Sequence, residues 1–122
     1  MKQFLAETAL LKGINHPCII KVDGLYRYEG NFYLVMEYCR GSDLKDLLKI
    51  KPTSEKYFAC IIKQILGALA YLHSLNIVHR DIKPEKVVFL NKITERINEY
   101  QPIKMIDFGT AIKMKYKFQH QE

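Results

Sequence analysis

No apolar run in this 122-residue sequence approaches the ~20 residues that a membrane-spanning helix requires. A secretory leader is not expected, because Lys2, Gln3 and Glu7 interrupt the apolar residues at the start. The three cysteines, Cys18, Cys39 and Cys60, form no C-x-x-C pair and lack metal-ligand spacing. An odd count of this kind points to reduced thiols in a cytosolic, or alternatively nuclear, protein. Internal repeats and low-complexity segments are absent from the sequence, so a repeat array is excluded. Acidic residues are the scarcer charge: 13 stand against 19 Lys plus Arg, for a net +6. That excess favours anionic partners without choosing among nucleotides, nucleic acid and acidic surfaces. The lysines are spread along the chain, as on a solvated surface.

What is present fits one α+β domain and hardly two. Residues 2–12 read as a short amphipathic helix, with Phe4, Leu5, Leu10, Leu11 and Ile14 near helical spacing and Gly13 to stop it. Residues 19–25 and 31–38 are β-rich, and "YEGN" between them supplies a Gly-Asn hairpin signal. Gly41 breaks the chain in "CRGSD", where Ser42 or Asp43 can cap a short helix over 44–49. "PTSE" opens the clearest helix. Tyr57, Phe58, Ile61, Ile62, Ile65, Leu66, Leu69 and Leu72 recur at i, i+3 and i+4, the pattern of a core helix with no chemistry of its own. Residues 91–101 are polar and read as a loop, 103–106 as a short strand, and 112–122 as a basic, poorly ordered tail.

Two charged turns stand apart from this packing pattern. "HRDIKPE" lies between apolar Ile77-Val78 and the apolar run from Val87 to Leu90, and "DFG" ends a short strand. A turn aspartate is commonly a cap or an Asx-turn. Two of them, with a lysine two residues after the first, suit phosphoryl transfer. That reaction needs carboxylates for metal ions, a positioned hydroxyl and a cation near the moving phosphate.

The pair "HRDIKPE" and "DFG" resembles the protein kinases, and the likeness extends along the chain. "FLAETALLKGINHPCIIKV" looks like the family's helix C and the strand after it. "FYLVMEYCRGSDLKDLL" looks like its hinge, and "YLHSLNIVHRDIKPE" like the helix that leads into its catalytic loop. The set looks most like the calcium/calmodulin-dependent branch of the serine/threonine class. The resemblance implies an incomplete two-lobed protein-kinase fold. In it, residues 1–36 are a remnant of the small lobe, 37–41 the hinge and 42–111 the start of the large lobe. It further implies ATP and Mg²⁺ as cofactors and a protein substrate, with no nucleic acid and no membrane as partners.

Residue by residue, Asp81 looks like the catalytic aspartate that takes the substrate hydroxyl proton. Lys83 resembles the lysine that meets the transferred phosphate in serine/threonine kinases. Asp107 resembles the metal-binding aspartate, and Glu7 the helix C glutamate that pairs with an ATP-positioning lysine. Met36 resembles the gatekeeper. Glu37 and Cys39 would offer backbone groups to adenine, Val88 would floor it, and Asp43 would meet the ribose. Leu11, Val22, His79 and Phe108 look like the hydrophobic spine, and Arg80 like the arginine that reads a phosphorylated loop.

Three features depart from the family. Lys86 stands where the family has a metal-binding asparagine; a protonated lysine has donors only and cannot ligate. The 122 residues contain no glycine-rich loop, no strand bearing the ATP-positioning lysine and no A-P-E segment. The stretch from Lys86 to Asp107 is longer than usual, as a lengthened hairpin would make it. The leading expectation is a serine/threonine kinase domain fragment whose complete form transfers the ATP γ-phosphoryl group to protein hydroxyls. The alternative is a pseudokinase or regulatory nucleotide- or protein-binding module, or a non-functional fragment.

Overall fold

Helix α1, Lys2–Lys12, opens a computed structural model that describes residues 2–50, 54–92 and 101–114. The expected tail past 114, most of the polar loop and the Pro52-Thr53 start of the long helix lie outside the described residues. The buried side of α1 differs from the apolar pattern. Leu11 and Thr8 are buried, whereas Leu5 is exposed. Leu11 joins Ile14, Ile19 and Ile20 in the core.

Strands β1, Val22–Tyr28, and β2, Asn31–Met36, form an antiparallel hairpin with Leu25 opposite Leu34. Strand β1 starts three residues later than the composition suggests. Ile19 and Ile20 are taken elsewhere: Ile20 N–H donates to the Met105 carbonyl at 3.0 Å, and Ile19 bridges Met105. The turn is also one residue off. Glu29 and Gly30 both adopt positive φ, 49° and 80°, so Glu-Gly rather than Gly-Asn occupies its centre. Two left-handed residues match the twist of a tight hairpin.

Helix α2, Leu44–Ile50, and helix α3, Glu55–Ser74, follow. Ser54 caps α3 by accepting the Tyr57 N–H at 3.2 Å. Its buried stripe runs through Tyr57, Ile61, Gln64, Ala68 and Leu72, while Ile62 and Leu66 stay exposed. Buried Gln64 ties three segments. Its Nε2 donates to the Gln101 carbonyl at 2.9 Å, and its Oε1 accepts from Ile103 N–H at 3.0 Å and from the Cys18 thiol at 3.7 Å.

After α3 come β3, Ile77–Val78; a 3₁₀ turn, Pro84–Lys86; β4, Val87–Phe89; β5, Ile103–Met105; and β6, Ile112–Lys113. Strand β4 pairs antiparallel with β5, Val87 opposite Met105. Flanking segments widen this pair into a ribbon. Gly41 N–H donates to the Phe89 carbonyl on one side, and Met105 N–H to the Cys18 carbonyl on the other, at 2.9 and 2.8 Å. Strand β3 pairs with β6, Val78 opposite Ile112. Phe89, Ile103, Met105, Val87 and Phe108 are all buried, and α3 packs on β5. The architecture is α+β: helices packed on small antiparallel sheets. No helix among the described residues is long and apolar enough to cross a membrane.

Gly41 marks the closest approach in the ribbon. A Cβ there would stand 2.5 Å from Phe89 Cβ and 2.6 Å from the Phe89 and Asn91 carbonyl oxygens. Two of those three are backbone atoms and the third is a Cβ, so no rotamer change can move any of them. Gly41→Ala is therefore expected to destabilise the fold by about 1–3 kcal/mol, read from a urea midpoint. An unchanged midpoint would show that the 40–43 segment can shift off β4.

His16 joins the entry of β1 to α3. Its Nδ1 accepts the Cys18 N–H at 3.0 Å, its ring lies 5.1 Å from that of Tyr71, and Asn15 N–H donates to the Tyr71 hydroxyl at 2.9 Å. Burial, with the charge of Lys104 added, holds the His16 pKa below the usual histidine value. The unfolded chain then binds the extra proton more readily, so stability is full above the unfolded pKa and is lost as pH falls through it. The melting temperature is expected to drop between about pH 7 and pH 5, and His16→Gln to flatten part of that slope.

Candidate active site

Two loops lie side by side because the strands that frame them are paired. The 79–86 loop leaves β3 and enters β4; the 106–111 loop leaves β5 and enters β6. Thr110 Oγ1 donates to the His79 carbonyl at 3.0 Å, and Arg80 Nε to the Thr110 carbonyl at 2.7 Å.

His79 anchors the first loop. It is 1% exposed and its ring meets Phe108 edge-on at 4.8 Å. Its Nδ1 accepts the Asp81 N–H at 3.2 Å, which assigns the ring proton to Nε2, 3.4 Å from the Ile106 carbonyl. Arg80 takes a left-handed φ of 71° just before Asp81, which is half-buried. Lys83 is extended, φ −158° and ψ 163°, as a residue before proline must be. Its ammonium stands 3.8 Å from Asp81 and 3.9 Å from Glu85.

The second loop turns at Asp107, another left-handed residue with φ 61°. Asp107 Oδ1 accepts the Gly109 N–H at 3.2 Å, and the Phe108 N–H donates to Glu7 Oε1 at 3.0 Å. Glu7 on α1 thus reaches this loop across 101 residues. The register of β4 with β5 places Lys86 beside Ile106, whose N–H donates to the Lys86 carbonyl at 2.9 Å. The next residue, Asp107, comes within reach of Lys86, and the Lys86 ammonium donates to Asp107 Oδ2. That hydrogen bond holds the Asp107 carboxyl below the usual carboxylate range and the Lys86 ammonium above the usual lysine value.

The remaining expected residues lie on several segments. Val88 is half-buried between buried Val87 and Phe89 and bridges Asp43. Asp43 Oδ1 caps α2 by accepting the Asp46 N–H at 2.8 Å. Met36 is partly exposed at the end of β2. The Glu37 carboxylate pairs with Lys104 at 3.1 Å and accepts the Lys21 N–H at 3.0 Å, while the Glu37 N–H donates to the Lys21 carbonyl at 2.9 Å. Cys39 is half-buried; burial, and then Glu37, raise its thiol pKa. Leu11, His79 and Phe108 are buried and Val22 is half-buried. Sequence reasoning missed Glu85, whose carboxylate links Lys83 to Lys45 at 3.9 Å each, and Thr110. Arg80 pointed to a phosphorylated loop in the sequence; here its guanidinium meets a carbonyl.

The protein kinase domain model matches residues 1–122. Calcium-dependent protein kinase 3 of Plasmodium yoelii yoelii is 42% identical over 110 residues, 89% of this chain and 20% of that protein. Calcium-dependent protein kinase 5 of Plasmodium falciparum (isolate 3D7) is 41% identical over 108 residues, 88% of this chain and 18% of that protein. Among solved structures, the crystal structure of the Rad53 kinase domain and SCD2 superposes with a TM-score of 0.79. It is 30% identical and covers 93% of this chain and 41% of that chain. The chain belongs to the protein kinase family, with the fold of part of a serine/threonine kinase domain. It spans about a fifth of the length of the first of these curated relatives.

The family uses ATP with Mg²⁺ ions held by carboxylates and an asparagine. The residues present do not fit a two-ion set. Asp107 is engaged by an ammonium, Lys86 has no lone pair to give, and no group of three or more His, Cys, Asp or Glu among the described residues could hold a metal ion.

Proposed function

We propose that this chain carries the catalytic loop and nucleotide floor of a serine/threonine protein kinase that moves the ATP γ-phosphoryl group to a protein hydroxyl. The observation that supports this most is the Asp81–Lys83 pair, a carboxylate and an ammonium 3.8 Å apart on a loop anchored by buried His79. In this reading 1–36 belong to the small lobe, 37–41 are the hinge and 42–111 begin the large lobe.

Asp81 accepts the hydroxyl proton as the oxygen attacks phosphorus. The new O–P bond forms while the bond to the β-phosphate oxygen breaks, and ADP leaves with that electron pair. Lys83 donates to the oxygens of the moving phosphoryl group. The Glu37 and Cys39 backbones meet adenine beside Met36, Val88 lies beneath it, and Asp43 offers its second oxygen to the ribose. Glu7 holds the Phe108 amide and so ties the Asp107 loop to α1.

A second reading, a nucleotide- or protein-binding module without transfer, draws support from the Lys86–Asp107 pair. Incubating the protein with γ-labelled ATP and peptides that offer serine, threonine or tyrosine separates the two. Label on serine or threonine is expected. No label on any peptide, with nucleotide still bound, would leave the binding module; label on tyrosine alone would overturn the role given to Lys83.

A further inference from the structure

The loop cluster alternates in charge. Asp81, Glu85 and Asp107 supply three carboxylates; Lys45 and Lys83 face Glu85, Lys83 also faces Asp81, and Lys86 meets Asp107. The three ammoniums balance the three carboxylates. At Asp107 the balancing charge comes from Lys86, so that carboxylate already has a cation in contact with it.

The position of Lys86 is fixed, not incidental. The β4–β5 register and the Ile106-to-Lys86 backbone hydrogen bond set Lys86 against the turn that carries Asp107. The Lys86 side chain is only 21% exposed, against 45% for Lys83, so its ammonium is held in the cluster. An ammonium has three donors, and Asp107 uses one. Two remain for anionic oxygens, and the Lys83 ammonium on the same loop faces Asp81 and Glu85. Ammoniums in such a place bind phosphate as point charges without ordering a metal hydration shell.

We propose that Lys86 is a resident cation standing in for a divalent ion, so that this site takes a nucleoside triphosphate with one metal ion fewer than it would with a neutral ligand at 86. The inference rests on the nucleotide site proposed above. Lys86 and Lys83 then hold the polyphosphate directly, and binding persists when divalent ions are removed.

The test counts metal ions and does not depend on turnover. Mn²⁺ bound to the protein with a non-hydrolysable ATP analogue is counted by electron paramagnetic resonance for the native protein, Lys86→Asn and Lys86→Arg. Lys86→Asn is expected to bind one more Mn²⁺ per nucleotide than the native protein, and Lys86→Arg the same number as the native protein. In EDTA, the analogue is expected to bind the native protein about tenfold or more tightly than Lys86→Asn, the worth of one charge-assisted hydrogen bond. Nucleotide binding by Lys86→Asn in Mn²⁺ shows that the variant is folded. Equal Mn²⁺ counts in the native protein and Lys86→Asn, with nucleotide bound to both, would overturn the role of Lys86 alone. No nucleotide bound to any form, with or without metal, would overturn the nucleotide site and this inference with it.

Discussion

Asp81→Asn is expected to slow phosphoryl transfer about 10²–10⁴-fold, the usual worth of a positioned general base. The substitution keeps the shape of the side chain and removes its ability to take a proton. The backbone at 81 is held independently of the carboxylate, since its N–H donates to buried His79 and the left-handed Arg80 sets the direction of the chain. The loop therefore keeps its path in the variant. Lys83 loses a neighbour at 3.8 Å, but Glu85 at 3.9 Å still faces it, so the cation keeps a partner. Nucleotide affinity is expected to stay within about a factor of two, because the exposed Asp81–Lys83 pair is worth little on its own. Single-turnover transfer measured beside nucleotide affinity checks both parts. A rate that falls less than about tenfold would mean that Asp81 orients the hydroxyl without taking its proton.

The form of the two charged turns was legible because it is local. An aspartate, a lysine and a proline within a few residues need no partner from afar to announce a turn with charged tips, and Pro84 alone dictates the extended Lys83 before it. The helices were legible for the same reason: α3 carries its apolar repeat and its Ser54 cap in one stretch. What escaped depends on contacts between distant segments. That Lys86 cannot ligate a metal follows from its chemistry alone; that it pairs with Asp107 follows only from the β4–β5 register across 21 residues. Gln64 sits on an apolar face and gives no sign that it will meet Ile103, Gln101 and Cys18. Ile19 and Ile20 have the composition of a strand, but their partner is Met105 rather than β2, and no local pattern chooses between the two. Thr8 replaces Leu5 on the inner side of α1 because the helix packs by position, whatever the polarity of the individual side chain.

Phe108→Ala is expected to destabilise the fold by about 3–5 kcal/mol, the range for deleting a buried aromatic ring. Phe108 is 0% exposed and lies edge-on to His79 at 4.8 Å, a contact worth about 0.5–1.5 kcal/mol beyond its area. Against a typical domain stability of about 5–15 kcal/mol, the loss is a large fraction of the whole. Phe108→Leu keeps most of the apolar volume and should lose mainly the ring contact, so its effect is expected to be the smaller of the two. Both are read as shifts of a denaturant midpoint at constant slope. The site should feel the change as well. Asp107 holds a left-handed φ of 61°, a conformation that persists only while its surroundings enforce it. Two of the constraints are the buried Phe108 ring and the Phe108 N–H given to Glu7. Without the ring, Asp107 can relax and release Lys86, so the variant joins a stability loss to a loss of order between the two loops. A midpoint shift equivalent to less than about 1 kcal/mol in Phe108→Ala would mean that the 106–111 loop is held by its hydrogen bonds and strand pairing, and that the ring only fills space.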